Sequence, residues 1–222
     1  MGPIKYGHIK HDYTKGLKVK GVKSVRRAYF ADELVKVIDR VTAEREPHKR
    51  LFGLVAIITG ARARELTQLT KADVVEVSAA NGEAGYLCLD INDAGDKTIK
   101  NAASACLVPL TDGTMGFSLE EFRKWVDALP SSDSLVFGMS RDTASQWFNR
   151  EVLPQALPDR TGDLVLHSLR HTMATLFKQA GVAESLAGDV LGHSGQGITF
   201  GLYGKAKAVD KMAQGLAQAL LG

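Results

Sequence analysis

Cysteine is scarce in this sequence: two among 222 residues, Cys88 and Cys106. Both fall in strand-like runs, and they do not have zinc-site spacing. They read as two reduced, apolar side chains of an intracellular protein, not as a disulfide framework. No apolar run reaches the length of a membrane span. The start, MGPIKYGHIKHDYTKG, is basic but has no apolar core of the secretory kind. No internal repeat is apparent, and no acidic cluster offers magnesium a site. The composition therefore argues against membrane-spanning, disulfide-scaffolded and repeat architectures. No metal and no cofactor is expected.

What is present is ordinary globular material, 45% hydrophobic and 24% charged, enough for a sizeable core. The net charge is only +3, but it is unevenly placed. Residues 1–27 carry Lys5, Lys10, Lys15, Lys18, Lys20, Lys23, Arg26 and Arg27 against one acid, Asp12, which leaves the remainder at −4. A basic arm on a near-neutral body points to a polyanionic partner.

Periodicity predicts helices first. YFADELVKVIDRVTAERE begins a helix near Ala31 or Asp32, with Leu34, Val35, Ile38 and Val41 expected on one face. HKRLFGLVAIITG is nearly all apolar in its later half, so it should be central and end at Gly60. RARELTQLTKADV reads as a short third helix. The pattern then changes. VVEVSA, GYLCLDIN and ACLVPL are strand-like, and the segments between them carry turn residues. Further helices are expected near 118–129, 141–155, 168–180 and 183–190, with a tail helix near 206–220. The expected fold is mainly α with a small three-stranded antiparallel sheet, forming one domain over 28–222 behind a basic arm over 1–27.

Three short stretches carry chemistry. In ITGARARELTQL, Arg62 and Glu65 are three apart and share a helical face, just after a deeply apolar helix. A guanidinium held there needs an anionic partner. In LVLHSLRHTMATLF, His167 and Arg170 are also three apart, at the start of a helix whose Leu169, Met173 and Leu176 should face the core. Cations at a positive helix end are locally unfavourable, unless an anion fills the site. In LGHSGQGITFGLYG, His193 leads through a glycine-rich loop to Tyr203.

Taken in order, TGARARELTQLTKADV, a lysine-bearing hairpin ending in NAASACLVPL, HSLRHTMAT and LGHSGQGITFGLY resemble the catalytic domain of the tyrosine recombinases, the phage integrase family. The resemblance covers roughly residues 28–222. It implies that Tyr203 attacks a scissile DNA phosphate, giving a 3′-phosphotyrosyl bond and a free 5′-hydroxyl. Arg62 and Arg170 would grip the non-bridging oxygens, a bidentate task that suits a planar guanidinium. His193 would add a hydrogen bond to the same phosphate, and His167 would help take the tyrosine proton. Lys100 would protonate the leaving 5′-oxygen. Lys97 lies in the same turn, and Lys100 is preferred by its distance to Pro109. Glu65 would buttress the site, and His171 would cap or pack.

A phosphodiester is already anionic, so a cage of basic side chains is the main requirement, with no metal or ATP. The implied partner is double-stranded DNA at attachment-type sites. The implied assembly is a homotetramer on DNA, and the implied location is the cytoplasm of a bacterium, at the nucleoid. Lys18, Lys20, Lys23, Arg26 and Arg27 are the arm residues expected to touch DNA. The sequence departs from the family pattern at Cys106, where members often carry an arginine. The interval from His193 to Tyr203 is one residue longer than in many members, and Gly195, Gly197 and Gly201 suggest a mobile loop delivering Tyr203. Members usually carry a helical DNA-binding domain ahead of the catalytic one, so an isolated catalytic part is expected here. VDKMAQGLAQALLG is apolar at helical spacing and would pack in cis or onto a neighbouring protomer. Two other readings remain: a type IB topoisomerase, which shares this chemistry, and a non-catalytic DNA-binding regulator derived from an integrase.

Overall fold

The computed structural model describes residues 26–80, 85–98, 105–192 and 202–221, with side chains in the last segment described from Ala208 onward. Helix α1 (Ala31–Thr42) starts where Glu33 reaches back to accept the Phe30 N–H at 2.8 Å. Its buried face is Leu34, Val37 and Val41. Val35, expected on that face, is 55% exposed: the 3.6-residue period places Val37 inward in its stead. Helix α2 (Pro47–Thr59) opens with proline at its first position, where no N–H is needed. From Leu51 to Thr59 every residue is buried, as a central helix requires. Gly53 lets α1 come close, since a Cβ there would lie 2.6 Å from Val41 Cγ1.

Gly60 ends α2 in the left-handed conformation, φ 64°, which favours glycine. Helix α3 (Ala63–Thr67) and a 3-10 turn (Lys71–Asp73) follow, where one short helix was expected: the chain turns extended at Thr70, which bridges to Leu135, and this separates the two. The chain then enters a three-stranded antiparallel sheet of β1 (Val74–Val77), β2 (Tyr86–Ile91) and β3 (Cys106–Pro109), in that order. Val75 faces Cys88, and Ile91 faces Cys106. The two cysteines are free thiols.

Helix α4 (Leu119–Asp127) is capped by the Ser118 hydroxyl. Helix α5 (Arg141–Trp147) runs through a π-helical stretch (Phe148–Val152) into α6 (Leu153–Ala156), where one continuous helix was expected. Pro154 supplies a reason: lacking an N–H, it cannot continue the regular ladder. The Asn149 carbonyl accepts from Arg160 Nη2 at 3.0 Å. Helix α7 (Ser168–Gln179) buries Leu169, Met173 and Phe177, while Leu176 is half-buried. Helix α8 (Glu184–Leu191) ends at Gly192.

Helix α9 (Leu202–Leu221) begins four residues ahead of the expected start. It packs in cis: Val209, Met212, Leu216 and Ala219 join Met173, Phe177, Val190 and the sheet residues Cys88, Ile91 and Val108 in a second core cluster. The larger cluster lies around α2, with Phe52 edge-on to Phe137 at 5.5 Å between ring centroids. Arg62 follows the end of α2 and Arg170 lies on α7, so the packing of these two helices sets their relation.

Candidate active site

Arg62 stands just ahead of α3 with extended backbone. Glu65, one turn on, accepts the Arg62 N–H at 2.8 Å through Oε2 and pairs with the Arg62 guanidinium through Oε1. The carboxylate is 4% exposed, so its two oxygens serve as a fixed rest for the arginine.

The approach to α7 is pinned from several sides. Asn149 Oδ1 accepts the Leu166 N–H at 2.8 Å, and Tyr29 donates its hydroxyl to the Val165 carbonyl at 3.0 Å. Ser168 Oγ accepts the Val165 N–H, and Thr172 Oγ1 accepts the Tyr29 N–H. His167 caps the helix at the surface. Its ring lies edge-to-face with that of His171, 5.3 Å between centroids. Partial burial, then the positive neighbourhood of His171, Arg170, Arg26 and Arg62, pulls the His167 imidazole down to about 4, so it is neutral at physiological pH.

Arg170 is 5% exposed and points inward. Its Nη1 donates to the Gly60 carbonyl at 3.2 Å and its Nη2 to the Leu191 carbonyl. Burial and the Arg62 guanidinium pull Arg170 down to about 10, with Glu65 and the Cys106 thiol acting in the other direction. Arg62 and Arg170 are therefore close enough to repel, with Glu65 between them in electrostatic effect. Two guanidiniums so placed could hold an anion. Cys106, where the resemblance led to an expected arginine, lies in the same field. Burial first, then Glu65, pushes its thiol up to about 12 despite the two arginines. No cation reaches the cluster from that position.

In the β2–β3 connection Lys97 is engaged: its Nζ lies 2.5 Å from Asp73 Oδ1 and 3.3 Å from Asn92 Oδ1. Lys100, His193, the glycines of the loop, Lys18, Lys20 and Lys23 lie outside the described residues. The backbone of Tyr203 forms part of the first turn of α9. Of the arm residues, Arg26 is exposed, whereas Arg27 pairs with Glu33 and Asp163 and lies 4.5 Å from the Phe30 ring centroid. Among the described residues no three His, Cys, Asp or Glu side chains gather as a metal site would require.

Sequence reasoning missed the two carbonyls that hold Arg170 and the carboxylate that holds Lys97. Backbone carbonyls leave no trace in a residue pattern. Asp73 was in plain view in TKADV, but its partner is 24 positions away.

No protein-family model and no curated protein matches the sequence. Solved structures do match. XerH site-specific recombinase bound to its difH substrate is 20% identical, with a TM-score of 0.57 over 92% of this chain and 56% of that one. XerA recombinase is 17% identical, with a TM-score of 0.54 over 75% of this chain and 54% of that one. The lambda integrase catalytic core is 24% identical, with a TM-score of 0.51 over 76% of this chain and 96% of that one. The fold is that of a tyrosine recombinase catalytic domain. The chain spans little more than half the length of the two Xer recombinases.

Proposed function

We propose that this chain is the catalytic part of a site-specific DNA recombinase that cleaves and rejoins strands through Tyr203. The observation that carries the reading is the buried Arg170 beside the Glu65-braced Arg62, with the neutral His167 at the same helix start. Two guanidiniums on one side of a phosphodiester stabilise the charge that builds on its non-bridging oxygens as the phosphorus becomes five-coordinate. A neutral imidazole accepts a proton, so His167 helps deprotonate the tyrosine as its oxygen forms the bond to phosphorus. The P–O5′ bond breaks, its electron pair goes to the 5′-oxygen, and Lys100 protonates that oxygen. The engagement of Lys97 by Asp73 favours Lys100 in this role. His193 adds a hydrogen bond to the phosphate. Reversal by a different 5′-hydroxyl joins the exchanged strand, with the bond energy conserved in the phosphotyrosyl link.

The partner is double-stranded DNA, contacted also by Lys18, Lys20, Lys23, Arg26 and Arg27. The working assembly is a homotetramer on paired sites, serving integration or excision of a mobile element at a bacterial nucleoid. A topoisomerase would use the same groups on one duplex, so the products separate the two readings: exchanged strands or relaxed circles. A binding-only regulator would form no covalent link.

The test is covalent capture. The protein and Tyr203→Phe are incubated with a nicked duplex pool of randomised core sequence, in which the cleaved end diffuses away. A denaturing gel should show a protease-sensitive shifted band with the first and none with the second. A band of equal strength in the phenylalanine variant would overturn the assignment of the nucleophile.

A further inference from the structure

We propose that Tyr29 and Asn149 are positioning residues for His167: from two sides they fix the Val165–Leu166 peptide group that leads into it. The inference rests on the reading of His167 as the group that helps deprotonate the tyrosine.

His167 stands at the N-cap of α7, yet its side chain makes no capping bond there. The segment ahead of it holds the helix start. The Val165 carbonyl accepts from the Tyr29 hydroxyl at 3.0 Å, and the Leu166 N–H donates to Asn149 Oδ1 at 2.8 Å. These two groups are the ends of one planar peptide unit, so its orientation is set at both ends. His167 is the next residue. The Ser168 N–H also donates to the Val165 carbonyl, at 2.8 Å, and Ser168 Oγ accepts the Val165 N–H at 3.2 Å. The carbonyl therefore has a donor without Tyr29. The phenol adds direction to an oxygen that is already satisfied.

Both partners are themselves held. Tyr29 is 5% exposed, and its N–H donates to Thr172 Oγ1 at 2.9 Å. The Thr172 hydroxyl donates in turn to the Ser168 carbonyl at 2.9 Å. Tyr29 is thus tied to the chain on both sides of His167, by its backbone at Thr172 and by its hydroxyl at Val165. Burial holds its phenol above the ordinary range, so it stays a donor. Beside it, Arg27 Nε donates to Asp163 Oδ2 at 2.9 Å, two residues ahead of Val165.

Asn149 is the second residue of the π-helical stretch. Its Nδ2 donates to Ser145 Oγ at 3.1 Å, and its carbonyl accepts from Arg160 Nη2 at 3.0 Å. Single-turn π stretches inside helices recur at functional sites. Here the stretch presents Asn149 to the approach to α7, 17 positions later in the chain. Proton transfer to a base depends steeply on its distance and aim. The fixed peptide limits the backbone that carries His167. The His171 ring, edge-to-face at 5.3 Å, limits the imidazole.

The experiment measures single-turnover cleavage at saturating concentration of the duplex recovered by the covalent capture above, together with duplex affinity. Asn149→Leu keeps the size of the side chain and removes the acceptor. Tyr29→Phe removes only the hydroxyl. Each should slow cleavage by about ten- to a hundredfold and leave duplex affinity unchanged. Asn149→Asp, which still accepts the Leu166 N–H, should cleave near the unmodified rate. A spectroscopic readout needs no DNA: the nuclear Overhauser effect between the His167 and His171 rings should weaken in Asn149→Leu and Tyr29→Phe and persist in Asn149→Asp. Unmodified rates in both Asn149→Leu and Tyr29→Phe, beside a slow His167→Ala, overturn the positioning role and leave the role of His167 standing. Equal loss in Asn149→Asp and Asn149→Leu, with the inter-ring effect intact in both, overturns it as well. Unmodified cleavage by His167→Ala, or no covalent band in the parent, overturns the underlying reading and the inference with it.

Discussion

Arg170 donates from Nη1 to the carbonyl of Gly60 at 3.2 Å, across 110 positions of sequence. The residue assigned to the phosphate therefore also ties α7 to the end of α2, and through Leu191 to the end of α8. Arg170→Ala is expected to abolish strand cleavage and to destabilise the fold as well. Each buried carbonyl left without a donor costs about 1–3 kcal/mol. Urea denaturation should show the loss. A variant as stable as the parent would show that those carbonyls find water.

Gly60 should tolerate no side chain. Its φ is 64°, and a Cβ would stand 2.8 Å from Met173 Cβ on α7. Strained backbone and overpacking together predict a loss of about 2–4 kcal/mol for Gly60→Ala. The shift would also move the carbonyl that Arg170 uses. Thermal and denaturant unfolding measure the first effect, and anion binding by the folded fraction measures the second.

The pH dependence of His167 has a definite sign. Its imidazole falls from an ordinary 6.5 to about 4 in the folded protein, through partial burial and then the surrounding cations. Between these values the unfolded chain binds a proton that the folded chain does not. The contribution of the neutral ring is complete above pH 6.5 and is lost as pH falls through about 4. NMR of the ring C2 proton should give a midpoint near 4, and His167→Asn should flatten the acid limb of stability. An ordinary histidine midpoint would contradict the crowding described here.

Arg26 and Arg27 should separate in their response to salt. Arg26 is exposed, whereas Arg27 is engaged by Glu33 and Asp163, which hold its guanidinium in the charged form. Removing one phosphate contact lowers the slope of log K against log salt by about 0.9. Arg26→Ala should do this for duplex DNA without changing the melting temperature. Arg27→Ala should lower the melting temperature and leave the slope nearly intact. Fluorescence anisotropy at several salt concentrations checks both, and the reverse pattern would exchange the roles.

Both thiols should be inert in the folded protein. Burial, named first for each, pushes Cys88 and Cys106 up to about 12. Alkylation at pH 8 should be slow for both until denaturant is added. Rapid labelling of Cys106 in the native protein would show that the arginines outweigh its burial.

Much of this architecture was legible because it is local. The apolar run before Gly60 marked a central helix, and strand-like runs between turn residues marked the three strands. Arg62 and Glu65 meet because residues three apart share a helical turn. Where the local pattern was ambiguous, expectation slipped by a residue or two. Val35 and Val37 are equally apolar, and the 3.6-residue period through Leu34 and Val41 selects Val37. The π-helical stretch ahead of α6 was hidden, although Pro154 was its visible cause.

The sequence by itself determined the elements, their order and the local Arg62–Glu65 contact, since these depend on neighbours a few positions apart. Tertiary structure alone decided the partners. It turned Arg170 inward between Gly60 and Leu191, gave Lys97 to Asp73, and fastened Arg27 to Glu33 and Asp163. Those contacts join positions up to 136 apart. They exist because burying the apolar faces of α2, α7 and α8 brings them together, and each buried charge must then find a partner where the packing has left it.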